Sequence, residues 1–417
     1  MNSKSNLVLL VLIALLLGAL ISRNGALALM ALPFLVYLGV GRLTSPENPH
    51  LVARRSPDQA RCSGQEPIPM TLKLENQGQA IPRLRFVEPM QEKMTLVNGI
   101  IDRCVYLPGG QSLELGYTFQ ASRGRYSWQA VEVVASDPFG LFEKTVQLPA
   151  AAQVVVLPAE SSIVQLPLHA QHTLHAPGSN FSRQPGTGVD FWGVREYSPG
   201  DSLRWIDWQR VARHPGKLFS KEFEREEMAD IGLLLDARAI SNLKIGSKSL
   251  FEYSVEATAA LARAYIRAGN RVSLLIFGGS MRYVYPGTGK VHLNRILDQL
   301  AACTGDGDET FNTLRYMPIR MFPSRSLMVL ISPLQAKDLE SLTRMRSEGY
   351  QVVVLAPDPV RFSALERRRS EVTPYAVRAA RLERAALFWK IRRLGVQVMD
   401  WPVDRPFIRM RYREHRP

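Results

Sequence analysis

The chain is poor in the residues that most often announce chemistry. Three cysteines, Cys62, Cys104 and Cys303, are scattered over 417 residues, too few for a disulfide framework or a cysteine-based metal site. Cys62 and Cys104 fall in one segment and could pair, but an odd total fits a reducing compartment in which all three stay free. Of the seven histidines, His169, His172 and His175 recur at every third residue in LHAQHTLHAPG. Zinc is one reading of that spacing, but no Cys or acid accompanies it and Ala176-Pro177-Gly178 interrupts it. A linker is the expected reading. Gly186-Thr187-Gly188 has no Lys-Ser/Thr after it and no strand directly before it, which excludes a phosphate loop. An enzyme needs a positioned nucleophile or an acid–base pair, and spacing alone assembles neither.

Negative charge is also scarce. Lys and Arg number 52 against 38 Asp and Glu, a formal net charge of +14. The excess lies at one end: residues 361–417 hold fifteen Lys/Arg and six acids, +9 in all. Such a balance suits an anionic membrane surface or nucleic acid. The segment lacks a recognised nucleic-acid reader motif, so no specific nucleic-acid partner is expected. Arg378, Arg381 and Arg384 recur along one side of a predicted helix whose apolar positions, Leu382, Leu387, Ile391 and Leu394, should pack on a sheet. Anionic lipid contact by the basic C-terminal end is then expected.

Long apolar runs are present only at the start. Residues 7–21 and 26–40 are two such runs, separated by Arg23-Asn24-Gly25. Each approaches the roughly 20 residues that a bilayer span requires. One run followed by Ala26-Leu27-Ala28 could be a cleaved signal peptide, but the second would leave a greasy terminus. A helical hairpin over residues 1–44 is the expectation. Lys4 then lies on the same side as Arg42, Arg54 and Arg55, with only Arg23 opposite, so the soluble parts should be cytoplasmic.

Residues 45–160 change to short alternating runs broken by Asn76-Gln77-Gly78, Pro108-Gly109-Gly110 and Asp137-Pro138-Phe139-Gly140. MTLKLEN, PRLRFVEP, SLELGYTFQ, RYSWQAVEVVA and AQVVVLP read as strands of an antiparallel β-sandwich. Residues 229–417 instead alternate strands with helices: IGLLLD, a helix from Phe251 to Ala268, RVSLLIFGG, the edge strand MRYVYPG, VHLNRILDQLAA, SLMVLIS, QAKDLESLTRMRSEG, YQVVVLAP, a basic helix from Tyr375 to Arg393 and VQVMDW. This pattern predicts a doubly wound, mostly parallel α/β sheet. Its ligands would sit at the strand carboxyl ends, near Asp236, Ser332 and Thr310.

Between these parts, residues 161–228 hold a linker and the densest stretch of the chain, 186–224. Asp190, Arg195, Glu196, Asp201, Arg204, Asp207, Arg210, Arg213, Lys221, Glu222 and Glu224 are interleaved there with Phe191, Trp192, Tyr197, Trp205, Trp208 and Phe223. A solvated face would not need the aromatics and a core would not accept the charges. A half-buried ion-pair network bracing the two domains is therefore expected. Pro199-Gly200 fits a type II turn. Asp201 should then cap one helix, SLRWIDWQRVAR, on which Asp201–Arg204 and Arg204–Asp207 could pair and Trp205 and Trp208 share a face.

The run GTG..FWGVREYSPGD..RWIDW...AR....LFSKEFE resembles the signature of the bacterial "domain of unknown function fifty-eight" family. The paired apolar segments and RGRY…SDPFGLF share that resemblance. It implies a membrane-anchored multidomain protein of the bacterial inner (plasma) membrane: two transmembrane helices, a β-sandwich and a von Willebrand factor A-like domain. It also implies a MoxR-type AAA+ ATPase as partner. The signature residues carried over are Arg195, Tyr197, Gly200, Asp201, Arg204, Asp207, Trp208, Arg213 and Glu224. Domains of the A type often bind a divalent metal through Asp-x-Ser-x-Ser and later Thr and Asp residues. Here the first strand ends Asp236-Ala237-Arg238-Ala239-Ile240, and Ser332 stands at the later acid position. Only Asp236 and Thr310 remain, and one carboxylate beside an arginine is a poor site for a hard cation. Arg238 could instead pair with Asp236. A non-enzymatic adaptor with no metal and no cofactor is the expectation. The alternatives are a hydrolase built on the Asp/Arg-rich motif, or a basic surface for anionic lipid or nucleic acid.

Overall fold

In a computed structural model of the chain, the described residues are 3–46, 49–64, 66–159, 174–245, 248–278, 281–305, 321–366 and 374–403. They fall into two compact units, Met1–Leu157 and Pro158–Pro417.

The first unit opens with α1 (Ser3–Ser22) and α2 (Gly25–Thr44). Both are long and apolar enough to cross a membrane. Side chains such as Leu7, Leu20 and Leu29 are left exposed, at 66%, 75% and 71%, as lipid-facing residues would be in water. The expected turn is present, with Arg23 at φ +44° and the Asn24 side chain accepting from Ala26 N at 3.0 Å to start α2. Nine strands follow: β1 (Leu51–Ser56), β2 (Gln59–Ser63), β3 (Ile68–Asn76), β4 (Ile81–Val87), β5 (Met94–Gly99), β6 (Asp102–Leu107), β7 (Ser112–Ala121), β8 (Gly124–Ser136) and β9 (Glu143–Leu157). They form a four-stranded sheet in the order β1-β3-β7-β5 and a five-stranded sheet in the order β2-β9-β8-β4-β6.

Alternation explains the packing, because successive side chains of a strand point to opposite faces. Met70, Leu72 and Leu74 of β3 enter one buried core with Val131, Val133, Val154 and Val156 of β8 and β9. One departure from the sequence reading stands out. β2 runs parallel to β9, so the five-stranded sheet is mixed. Cys62 and Cys104 lie in β2 and β6, the two edge strands of that sheet, and both are free. Arg55, counted from the sequence among the charges on the cytoplasmic side of the membrane, is buried. Its side chain is 0% exposed and pairs with Glu88 at 2.9 Å. Tyr117 donates to the same carboxylate at 3.0 Å, and Arg55 also donates to the Ala150 carbonyl.

The β8–β9 turn has its own polar centre. Asp137 is 0% exposed and accepts from Leu141 N and Phe142 N at 2.7 Å each and from Phe139 N at 3.0 Å. Leu141 is buried, while Phe139 stays 40% exposed and meets the Tyr37 ring of α2 at 4.6 Å. The loop touches α2 again at Gly41. A Cβ there would come within 3.2 Å of Asp137 Oδ2 and 3.3 Å of Phe142.

The second unit begins with β10 (Leu174–Glu196), so residues expected as a linker form part of a long strand. A 3-10 turn (Leu203–Trp205) and α3 (Trp208–Arg213) lead to β11 (Phe219–Met228), which pairs antiparallel with β10. The α/β part then runs β12 (Asp230–Asp236), a two-residue hairpin of β13 (Lys244–Ile245) and β14 (Lys248–Ser249), α4 (Leu250–Arg267), β15 (Arg271–Phe277), β16 (Arg282–Gly287), α5 (Gly289–Ala302), β17 (Leu327–Ile331), α6 (Leu339–Ser347), β18 (Gln351–Pro357), α7 (Pro359–Glu366), α8 (Pro374–Arg393) and β19 (Gln397–Trp401). The sheet order is β16-β15-β12-β17-β18-β19, parallel except for the antiparallel edge strand β16.

Every residue of β12, β17 and β18 is buried, which requires cover on both faces. Leu234, Leu330 and Val354 face a cluster that includes Leu342 and Met345 of α6 and Phe388 and Ile391 of α8. α4 packs against β12 and β15, burying the face of which Leu261 is 0% exposed. Ser249 starts that helix, its hydroxyl accepting from Phe251 N at 3.2 Å.

Gly41→Leu should separate α2 from the β8–β9 loop, at a cost of about 1–3 kcal/mol from overpacking. A thermal melt and limited proteolysis of the detergent-solubilised chain would measure it. Unchanged melting and unchanged cleavage near Phe139 would rule the contact out as a structural one.

Candidate functional site

Four polar side chains converge at the carboxyl end of the parallel sheet. β12 ends at Asp236 and β17 stops one residue before Ser332. The register pairs Leu235 with Ile331, so the two ends lie side by side. Arg238, two residues beyond Asp236, turns back over it. Its Nε donates to Asp236 Oδ1 at 2.9 Å and its Nη2 to Oδ2 at 2.7 Å. The far side of the guanidinium meets a second carboxylate, Asp338, with Nη1 to Oδ1 at 2.8 Å and Nη2 to Oδ2 at 2.9 Å. Ser332 Oγ donates to Asp236 Oδ2 at 2.6 Å. All four residues are at most 1% exposed. Burial by itself would lower the Arg238 pKa, but the bonds to Asp338 and Asp236 more than offset it and raise it above the ordinary guanidinium value.

Asp338 was not singled out from the sequence, although its spacing carried a signal. Gln335-Ala336-Lys337-Asp338 precedes a helix, with donor and acceptor three residues apart as in a capping box. Gln335 N indeed donates to Asp338 Oδ2 at 2.8 Å. Arg384 of α8 was expected on a basic outer face and turns inward instead. It donates to the carbonyls of Pro333, Ala356 and Pro357 at 3.1, 2.9 and 3.2 Å and to Asp400 at 2.9 Å. Two arginines therefore occupy the rim at which ligands of such sheets normally bind. The two carboxylates face an internal cation, so this donor set does not fit a divalent metal. Thr310, the remaining expected ligand position, lies outside the described residues.

The signature stretch does something different from what its composition predicts. Arg195 on β10 pairs with Asp201 at 2.6 Å and with Glu222 of β11 at 2.9 Å. Asp201 does not cap a helix. It closes the turn, accepting from Ser198 N at 3.0 Å, while its own N–H donates to Ser198 O at 3.0 Å. Gly200 at φ +112° supplies the backbone conformation that a type II turn demands. The expected single helix is broken at Ile206-Asp207. Ile206 is buried and bridges to Ser220, and Asp207 becomes the cap of α3 by accepting from Arg210 N at 3.2 Å.

That break separates the two tryptophans, leaving Trp205 half-buried and Trp208 65% exposed. Tyr197 is half-buried and its N–H donates to Leu218 O at 2.9 Å. Arg204 and Arg213 are exposed, and Glu224 pairs through its backbone with Pro185. The Arg195–Asp201–Glu222 network is half-buried, as expected, but it lies in an arm on which Phe191, Leu203 and Leu218 stay open at 59%, 70% and 45%.

Residues 193–361 match the family described as "Protein of unknown function DUF58". That match begins in the exposed arm and runs through the Arg238 cluster to α7. This segment belongs to the DUF58 family. A relative described as "Uncharacterized protein YeaD" of Bacillus subtilis (strain 168) is 26% identical over 192 residues, 46% of this chain and 46% of its own length. The chain thus spans about half the length of the curated relative that it matches. Among solved structures, a FixG-related protein from Vibrio parahaemolyticus is 13% identical over 26% of this chain and 97% of its own, at a TM-score of 0.18. The Vibrio cholerae VesB protease is 12% identical over 28% of this chain and 33% of its own, at a TM-score of 0.16. Scores that low carry no structural argument.

Two expectations follow for the DUF58 segment. Arg238→Ala leaves two buried carboxylates without their cation and should cost about 3–5 kcal/mol, whereas Asp236→Asn/Arg238→Met/Asp338→Asn, which removes all three charges, should cost far less. Denaturant unfolding of both variants distinguishes them, and equal losses would show that the charges do not act together. For Asp201, the Ser198 N–H and then Arg195 hold the carboxyl below the ordinary carboxylate range. Its contribution is therefore present above about pH 4 and lost as pH falls through the depressed folded value. An NMR titration of Asp201 should move upward in Arg195→Gln, yet remain depressed because the Ser198 N–H is still there.

Proposed function

We propose that the protein is a membrane-anchored, non-enzymatic adaptor that binds a protein partner through its signature arm. The observation that carries this reading is the placement of the signature residues. Trp208, Leu203 and Phe191 are open on the arm that also carries Arg204, Asp207 and Arg213, and tryptophan and arginine are among the residues enriched at the energetic centres of protein interfaces. An active site would gather such groups in a cleft with the nucleophile and base in contact. Among the described residues, the carboxylates that converge at the strand ends, Asp236 and Asp338, are instead tied up by Arg238. The strand order, with the first strand central and an antiparallel third strand at the edge, supports a von Willebrand factor A-like reading. The common core of the two β-sheets supports the sandwich.

The partner proposed is a MoxR-type AAA+ ATPase, on the strength of the family resemblance. The two apolar helices support anchoring, and the positions of Lys4 and Arg42 support an inner-membrane hairpin with its soluble parts in the cytoplasm. Affinity capture of the full chain from native membranes, with and without ATP, tests the reading. An ATPase should be recovered with the wild type and lost with Trp208→Ala at unchanged melting temperature. Recovery of no ATPase under either condition, or equal recovery with the variant, would overturn it.

A further inference from the structure

Helix α8 carries two faces of different purpose. Its inner face is accounted for: Phe388 and Ile391 are 3% and 0% exposed in the core, and Arg384 ties the helix to the strand ends. The outer face holds Tyr375, Leu382 and Trp389, at 81%, 64% and 58% exposure. Seven residues are close to two helical turns, so these three apolar side chains form one stripe along the helix. Leu382 was expected on the sheet and lies on the opposite side. The same turn arithmetic puts Arg378 and Arg393 within the stripe and Arg381, Arg392 and Lys390 along its borders, all exposed. Glu383 is the one acid of the helix. Arg393 also lies over the Trp389 ring at 4.8 Å.

We propose that this outer face of α8 lies on an anionic lipid surface, with Tyr375, Leu382 and Trp389 entering the headgroup boundary and Arg378, Arg381, Lys390 and Arg393 facing lipid phosphates, while Arg392 donates back to the Val398 carbonyl at 3.4 Å. Three observations converge. An apolar stripe containing Tyr and Trp matches the composition of helices that lie in the bilayer interface. Four outward cations against one acid complement an anionic leaflet. The chain also carries two helices able to cross a membrane, which holds α8 near lipid at high effective concentration. This last point rests on the anchoring proposed above.

The test uses the full chain in nanodiscs of phosphatidylcholine alone or mixed with phosphatidylglycerol. Ala386→Cys, exposed between Leu382 and Trp389, carries an environment-sensitive fluorophore in a Cys62→Ser/Cys104→Ser background. The expected result is a blue-shifted emission, quenched by spin-labelled lipid, only in discs containing phosphatidylglycerol. Arg378→Gln and Arg381→Gln should each lower the docked-to-undocked ratio about fivefold at unchanged melting temperature. Identical, unquenched emission in both discs would overturn the proposal while leaving the anchoring intact. A chain that does not enter discs at all would sink the anchoring and the tether argument together. If short duplex DNA or RNA reproduces the shift in phosphatidylcholine discs, the face belongs to nucleic acid instead.

Discussion

The Arg238 guanidinium, shared between Asp236 and Asp338, is the interaction on which the α/β part depends. It joins residues one hundred positions apart in sequence and ties the end of β12 to the start of α6. Removing charges from water is expensive, and only excellent geometry with further hydrogen bonds compensates. Both conditions are met here: the guanidinium makes four bonds to two carboxylates, and the Ser332 hydroxyl and the Arg238 and Gln335 N–H groups donate three more to them. Arg384 repeats the device on the neighbouring strands, using three backbone carbonyls together with the Asp400 carboxylate. The carboxyl end of the sheet, where a ligand would usually sit, is occupied by the protein's own cations.

That occupancy moves attention to the arm. Its charges are of both signs and its aromatics are numerous, the composition that also describes a partly buried polar core. The two cases differ in exposure, which the order of residues does not state. Here Arg195 holds β10, the turn and β11 together through Asp201 and Glu222, while Trp208 and Leu203 remain outside. The arm's polar contacts organise its backbone, and its apolar side chains are left for another surface.

The first unit uses a buried pair as well. Arg55 and Glu88 are buried beside Tyr117 and Trp128, in a core otherwise made of aliphatic and aromatic side chains. Burial and the Glu88 charge push the Tyr117 hydroxyl well above the usual phenol range, so it remains a donor to that carboxylate. Asp137 fixes a loop by accepting three backbone N–H groups, and that loop reaches α2 where Gly41 leaves room.

Periodicity determined much of this protein by itself. The two apolar runs became α1 and α2, the alternating runs became β3, β4, β7, β8 and β9, and the helix–strand alternation yielded the sheet from β12 to β19 nearly element by element. Asp236, Arg238 and Ser332 were legible as neighbours because they follow strands that a parallel sheet must align. Tertiary structure decided the rest. A two-residue break at Ile206-Asp207 turned an expected helix into a 3-10 turn and α3, with Ile206 buried and bridged to Ser220. Asp338 joined Arg238 only through the folding of a distant helix. Arg384 and Leu382 each took the opposite side from the one their local pattern implied. Local pattern reports which faces an element has. Which face is covered depends on what the rest of the chain brings against it.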